Sequence, residues 1–262
     1  MVRNFAVCSV AAVSTLLISG CSSHPADVPA PTVETTASVP ETASAPPTEA
    51  PPEPASELPP CGDIGTAAMP ADCQLQSRDP AGVTFEIRHT GSPAHLVTTV
   101  TLLDSAGAFV QTLVEPEADA PGAVPKLRDL DGNGRDELVI PIFLATANVR
   151  YAVYHANGDS LEYHRAGELA GIGIDTSATG YVVVSARAEY ASWDVEFWKF
   201  AADDLSPIVT AQVRPIDDGN GKVAGTTCAV IDSGGLASTG LTPTQADTQF
   251  CAEPAVVRVS RN

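Results

Sequence analysis

The stretch Asp129-Leu130-Asp131-Gly132-Asn133-Gly134-Arg135-Asp136-Glu137 runs without a break into Leu138-Val139-Ile140-Pro141-Ile142-Phe143. Side-chain oxygens recur at its first, third and fifth positions, in Asp129, Asp131 and Asn133. A glycine at the sixth, Gly134, permits a sharp reversal. Six to eight oxygens gathered by a tight turn are what calcium, a hard cation, requires. On this reading Asp129, Asp131 and Asn133 turn inward. Arg135 contributes its backbone carbonyl, Glu137 closes the site at position nine, and Asp136 points away. The helix–loop–helix version of such a site needs a bidentate Glu at position twelve. That position is Ile140, which excludes it. The apolar run that follows is short and β-branched, the signature of a buried strand, and Pro141 places it at an edge or ends it early. A site lacking the twelfth-position carboxylate should be weak, in the ~10⁻⁴–10⁻³ M range of extracellular modules.

The loop resembles the FG-GAP/VCBS type of calcium repeat, written D-x-[DN]-x-[DN]-G-x-x-[DE] before an apolar strand. The resemblance implies a β-propeller or a related β-rich surface domain. The full pattern occurs once here, whereas propellers of that type repeat it.

On either side of this loop the chain reads as strand, turn, strand. Val83–Arg88 alternates apolar and polar residues. Leu96–Leu103 and Phe109–Val114 flank the turn residues Asp104-Ser105-Ala106-Gly107 and predict a hairpin. Arg150–His155 and Ser160–His164 flank Asn157-Gly158, the strongest short hairpin signal. Leu169–Ser177 reads as an irregular, Gly-rich segment. Tyr181–Ala188, Trp193–Phe200, Ile208–Val213 and Ala255–Val259 read as strands, with the odd positions of Trp193–Phe197 facing inward. Thr242 caps a short helix over Thr242–Phe250, with Pro243 at its first position. The fold class is therefore mostly β: a single β-rich domain of seven to ten strands, propeller-like or built of twisted antiparallel sheets.

Three regions divide the chain. Met1–Cys21 has a basic n-region and an apolar h-region, Phe5–Ile18, too short to span a bilayer. Its end, Ile18-Ser19-Gly20-Cys21, resembles the bacterial lipobox, which implies cleavage before Cys21 and diacylglycerol on its sulfur. Ser22–Pro60 is rich in Pro, Ala, Ser, Thr and Glu and has no Lys or Arg. Such a segment buries too little apolar surface to offset its ordering entropy. It reads as a disordered tether, on the order of 100 Å at full stretch. Residues 61–262 form the β-rich calcium-binding domain.

The formal net charge of −18 argues against nucleic acid and against anionic lipid headgroups as partners. The membrane is then held through the N-terminal lipid, which places the protein in the cell envelope, outside the cytoplasm. Cys61, Cys73, Cys228 and Cys251 are even in number in an oxidising compartment and predict disulfides. Either Cys61–Cys73 with Cys228–Cys251, or Cys61–Cys251 with Cys73–Cys228, satisfies the count. With no C-x-x-C and no matching His spacing, zinc is not expected.

Active-site signatures are weaker. Asp232-Ser233-Gly234-Gly235 resembles the surroundings of the nucleophile in trypsin-like proteases, but no histidine stands in the matching context. His89, His95, His155 and His164 are scattered, with His155 and His164 close only if the hairpin pairs them. Tyr151, Tyr154, Tyr163, Tyr190 and Trp193 make either an aromatic binding face or part of the core. The order of loop, strand, hairpin and strand pair from Leu127 to Val213 resembles small β-propeller-like lysozyme-inhibitor and immunity proteins. These features lead to a non-enzymatic binding or structural module whose partner is a cell-envelope protein or cell-wall component. The alternative is a secreted hydrolase using the Asp232–Gly235 loop.

Overall fold

The computed structural model describes residues 58–62, 71–92, 95–116, 118, 124–189, 191–232 and 234–261. These fall within one compact unit, Glu53–Asn262. Cys21, Tyr190, Ser233 and most of the tether lie outside the described residues.

Among the described residues the fold is mostly β, with three antiparallel sheets, each a meander whose strands pair in chain order. The first contains β1 (Cys73–Gln76), β2 (Thr84–Ser92), β3 (His95–Leu103) and β4 (Phe109–Glu115). The second contains β5 (Lys126–Arg128), β6 (Glu137–Leu144), β7 (Val149–His155) and β8 (His164–Gly171). The third contains β9 (Gly173–Thr176), β10 (Val182–Arg187), β11 (Trp193–Ala201), β12 (Asp204–Asp217) and β13 (Val223–Asp232). Two helices follow, α1 (Pro243–Cys251) and α2 (Pro254–Val259).

The burial pattern sets the stacking order. In β2 and β3, Phe85, Ile87, Val100 and Leu102 share a core with Leu138, Ile140, Ala152 and Tyr154 of the second sheet. The opposite face of that sheet, with Val139, Val153 and Leu169, packs on Ile174, Val182 and Val184 of the third. The far face of the third sheet, with Val183, Val195, Phe197 and Val213, is covered by Phe250, Val256 and Val259 of the helices. The middle sheet is thus covered on both sides. That is why β6 is a continuous apolar run, whereas the outer strand β3 alternates. Here the stack ends in half-exposed polar positions on one side and in helices on the other.

At Gly171 the second and third sheets approach closely. A Cβ there would lie 2.5 Å from Val184 Cγ1 and 2.6 Å from the Ser185 carbonyl. The segment expected to be irregular, Leu169–Ser177, instead contains the end of β8 and all of β9, and Gly171 admits the neighbouring strand.

Other departures have local causes. Pro141 sits in β6, an interior strand between β5 and β7, yet β5 reaches β6 only as far as Val139. Past that point one flank of β6 is open, so the missing N–H costs no ladder bond, and a bulge follows between Pro141 and Phe143. The strand after Asn157-Gly158 begins at His164, not Ser160. Gln111 of β4 holds the backbone of Tyr163, accepting from its N–H at 2.6 Å and donating to its carbonyl at 2.9 Å. This pair pulls Tyr163 into the core between the first two sheets, where its ring meets Phe85 edge-on. Ala255–Val259 is helix rather than strand. Pro254 takes the first helical position, and the buried Ala255, Val256 and Val259 keep helical spacing. α1 forms as expected, with Thr242 and Gln245 bonded reciprocally in a capping box. Val223–Asp232, a stretch assigned no element from its sequence, forms β13 against β12.

Two disulfides, Cys61–Cys73 and Cys228–Cys251, resolve the open pairing. The first ties the chain entering the domain to β1, and the second ties β13 to α1. Pro59 and Pro60, which composition assigns to the tether, belong to the fold: Gln74 N–H donates to the Pro59 carbonyl, and Pro60 bridges Gln74.

Candidate metal centre

The loop between β5 and β6 is closed by Arg128 pairing with Glu137. Inside it the acidic side chains fold the backbone. Asp129 accepts from Gly132 N–H at 2.8 Å through one oxygen and from Gly134 N–H at 3.0 Å through the other. Asp131 accepts from the Asn133 N–H at 3.1 Å and from its side-chain amide at 3.0 Å. Asn133 in turn accepts from Arg135 N–H at 2.6 Å. Gly132 and Gly134 have φ of 77° and 87°, a backbone that side chains with a Cβ rarely adopt. The third sheet supports the loop from outside, since the Thr176 hydroxyl lies 3.0 Å from the carbonyls of both Asp129 and Leu130.

Glu137 is the first residue of β6 and is 0% exposed. Its Oε2 accepts from Leu130 N–H at 2.6 Å, and Oε1 lies 3.1 Å from His155 Nδ1. Burial pushes the Glu137 carboxyl above the usual carboxylate range, with the hydrogen bonds to His155 and Leu130 opposing it. The His155 ring is buried as well and stacks on Phe200 at 4.2 Å. A carboxyl group has therefore been placed in the core, one oxygen bonded by Leu130 N–H and the other beside His155 Nδ1, close to two loop carboxylates.

The cation of the loop does not neutralise this group. Arg135 extends away, donating to the Gly158 carbonyl at 2.6 Å and the Ser160 carbonyl at 2.9 Å, with Nε 3.4 Å from Asp79. Asp136 also leaves the cluster, as its position predicts. It accepts from Ser77 Oγ and Arg78 N–H, and its own N–H donates to Asp79. Burial acts against an ionised Asp79, but hydrogen bonds from Asp136, Ser77 and Ala81 and the charge of Arg135 hold its carboxyl below the usual range.

What remains is Asp129, Asp131 and Glu137, each offering one carboxylate oxygen, with all three oxygens within 4.8 Å of one another. An ion with oxygen ligands at 2.3–2.6 Å touches oxygens up to about 5 Å apart across its diameter. The spread fits one such ion, and an all-oxygen, anionic donor set suits a hard divalent cation. Asn133 and the Arg135 carbonyl, the other expected ligands, follow in the same loop, Asn133 with its side-chain oxygen on Arg135 N–H.

The remaining sequence candidates separate clearly. His155 and His164 are directly paired across β7 and β8, but His155 is buried on Glu137 while His164 is exposed. They do not form one solvated pair. His89 is enclosed with Nδ1 3.6 Å from Asp72, and burial lowers its pKa. Among the aromatic residues, Tyr154, Tyr163 and Trp193 are core side chains. Burial pushes the Tyr163 hydroxyl up to about 12, and it donates to the Asp136 carbonyl. Tyr151 is half-buried. Asp232 ends β13.

Two features were not anticipated. Buried Glu115 accepts from the Tyr154 hydroxyl and from Arg165 Nε, both at 2.6 Å, joining β4 to β7 and β8. Nothing local in the sequence connects residues that far apart. The other is a second Asp-Gly-Asn-Gly stretch, Asp218–Gly221, in the turn between β12 and β13; the string itself was visible.

Compared with known proteins, the chain matches no protein-family model, no curated protein and no solved structure.

Proposed function

We propose that this chain is a lipid-anchored lipoprotein of the bacterial cell envelope, acting outside the cytoplasm as a non-enzymatic binding or structural module whose β domain is stiffened by calcium. The observation that carries this reading is the convergence of Asp129 and Asp131 on the buried Glu137. Three carboxylates crowded around a core position repel one another unless a cation sits among them. Binding to the folded chain alone raises stability by mass action. Outside the cytoplasm millimolar calcium suits a site of ~10⁻⁴–10⁻³ M affinity. The two disulfides support an oxidising compartment. The signal-like Met1–Cys21 supports the anchor, with Cys21 as the lipidated residue.

The domain would then present its surface to a cell-envelope protein or a cell-wall component. In its more pointed form, drawn from the resemblance of Leu127–Val213 to lysozyme-inhibitor proteins, the partner is a cell-wall hydrolase. Fractionation of Cys21→Ala tests the anchor: the variant should leave the membrane fraction, and unchanged retention contradicts lipidation. Affinity capture from the same envelope, with and without chelator, tests the module. A partner retained only with calcium supports the reading. A partner held equally well by Asp129→Ala/Asp131→Ala in chelator detaches binding from the metal.

A further inference from the structure

The first strands of the three sheets, β1, β5 and β9, meet around a cleft of about 560 Å³. That volume lies within the range of small-molecule sites. Apolar side chains on its lining are Leu75 from β1, Leu127 from β5, Ile174 from β9, and Val139, Pro141 and Tyr151 from the strands behind them; Gln76 and backbone groups make the rest of the lining polar. Its rim carries three cations, Arg78, Lys126 and Arg128. The carboxylate on the lining, Asp136, is engaged by Ser77 Oγ and Arg78 N–H.

Three cations at one cleft stand out in a chain of net charge −18. Several arginines elsewhere find acids: Arg88 lies beside Asp72 and Glu86, Arg150 beside Glu168, Arg165 beside Glu115 and Glu168, and Arg258 beside Asp175. Arg187 instead stacks on Trp193 and Arg214 bonds Gln212. The three cleft cations form no ion pair among the described residues. Arg128 donates through one guanidinium nitrogen to the Ile174 carbonyl at 2.6 Å, which fixes it across the gap between the second and third sheets. Arg78 and Lys126 have no side-chain hydrogen bond or ion pair among the described residues. Acidic residues outnumber basic ones 32 to 14 in the chain, yet three cations gather at this one cleft. A cleft that combines apolar side chains with cations unpaired among the described residues complements a ligand of matching form.

We infer that this cleft binds a small amphipathic anion, with an apolar body seated against Leu127, Ile174 and Tyr151 and a carboxylate, sulfonate or phosphate held by Arg78, Lys126 and Arg128. The cleft shares no residue with the carboxylate cluster Asp129, Asp131 and Glu137.

The probe is anilinonaphthalene sulfonate, an aromatic body with one anionic group, followed by fluorescence on the intact folded domain. Uncharged phenylnaphthylamine serves as its neutral counterpart. Arg78→Gln/Lys126→Gln should weaken sulfonate binding about tenfold and leave the neutral amine unchanged, and rising salt should weaken the sulfonate alone. Arg214→Gln/Lys222→Gln, which removes the same charge elsewhere, should alter neither. Ile172→Glu, at an exposed position on the rim, should repel the sulfonate to a similar degree without touching the core. The inference is overturned if the cleft pair binds the sulfonate as the parent protein does. It is equally overturned if the sulfonate and amine weaken together, or if the Arg214/Lys222 pair loses as much.

Discussion

The loops Asp129–Glu137 and Asp217–Lys222 contain the same core, Asp-Gly-Asn-Gly followed by a basic residue, and both fold on aspartate side chains that accept from backbone N–H groups. In the first, Asp129 and Asp131 accept from glycine and asparagine N–H groups. In the second, Asp217 accepts from Gly219 and Gly221, and Asp218 accepts from Asn220 and Lys222. Both glycine pairs have positive φ. The difference lies at the flanks. Where the first loop has Asp129 and Glu137, the second has Ile216 and Ala224 in register, and both are exposed. The repeated string is turn chemistry. What turns one copy into a candidate ion site is a carboxylate two residues before it and another delivered from a buried strand.

The comparison is most exposed to failure at Glu137. Replacing it with Ala leaves Leu130 N–H and His155 without their acceptor in the core, and should cost about 3–4 kcal/mol in chelator. Ala224→Glu, the reverse change at the solvated position, should stay within about 0.5 kcal/mol. Urea melts of the two variants measure both, and equal effects would erase the distinction. A smaller loss tests what secures the second hairpin. Cys228→Ser/Cys251→Ser unties β13 from α1 and should cost about 3 kcal/mol, in proportion to the loop it opens. Asp217→Ala/Asp218→Ala, within the turn itself, should cost only about 1 kcal/mol, because its hydrogen bonds are exposed. If the turn variant is the more damaging, the turn rather than the disulfide organises that edge.

The same contrast explains what could be read from the sequence. The first loop was legible because its chemistry is local: oxygens at alternate positions, glycine at the reversal, then an apolar run. The outer strands β2 and β3 were legible because one face is wet, and so was β6, whose unbroken apolar run follows from cover on both faces. The short strands β1, β5 and β9 carry too few residues to show a period, yet they frame the cleft. Only the fold reveals that Arg78, Lys126 and Arg128 share a rim. Val256, Val257 and Val259 favour a strand by side-chain type; Pro254 and packing against the third sheet decide for helix. His155 was visible as a hairpin residue, but its burial against Glu137 depends on Phe200 from another sheet.

The central claim is that Asp129, Asp131 and Glu137 are crowded because a divalent ion belongs among them. Thermal unfolding in chelator and in about 10 mM calcium tests it most directly. With a dissociation constant of ~10⁻⁴–10⁻³ M, the melting temperature should rise by about 3–10 °C. The rise should vanish in Asp129→Ala/Asp131→Ala and persist in Asp217→Ala/Asp218→Ala. No rise in the parent protein, or the same rise in the Asp129/Asp131 variant, would contradict it.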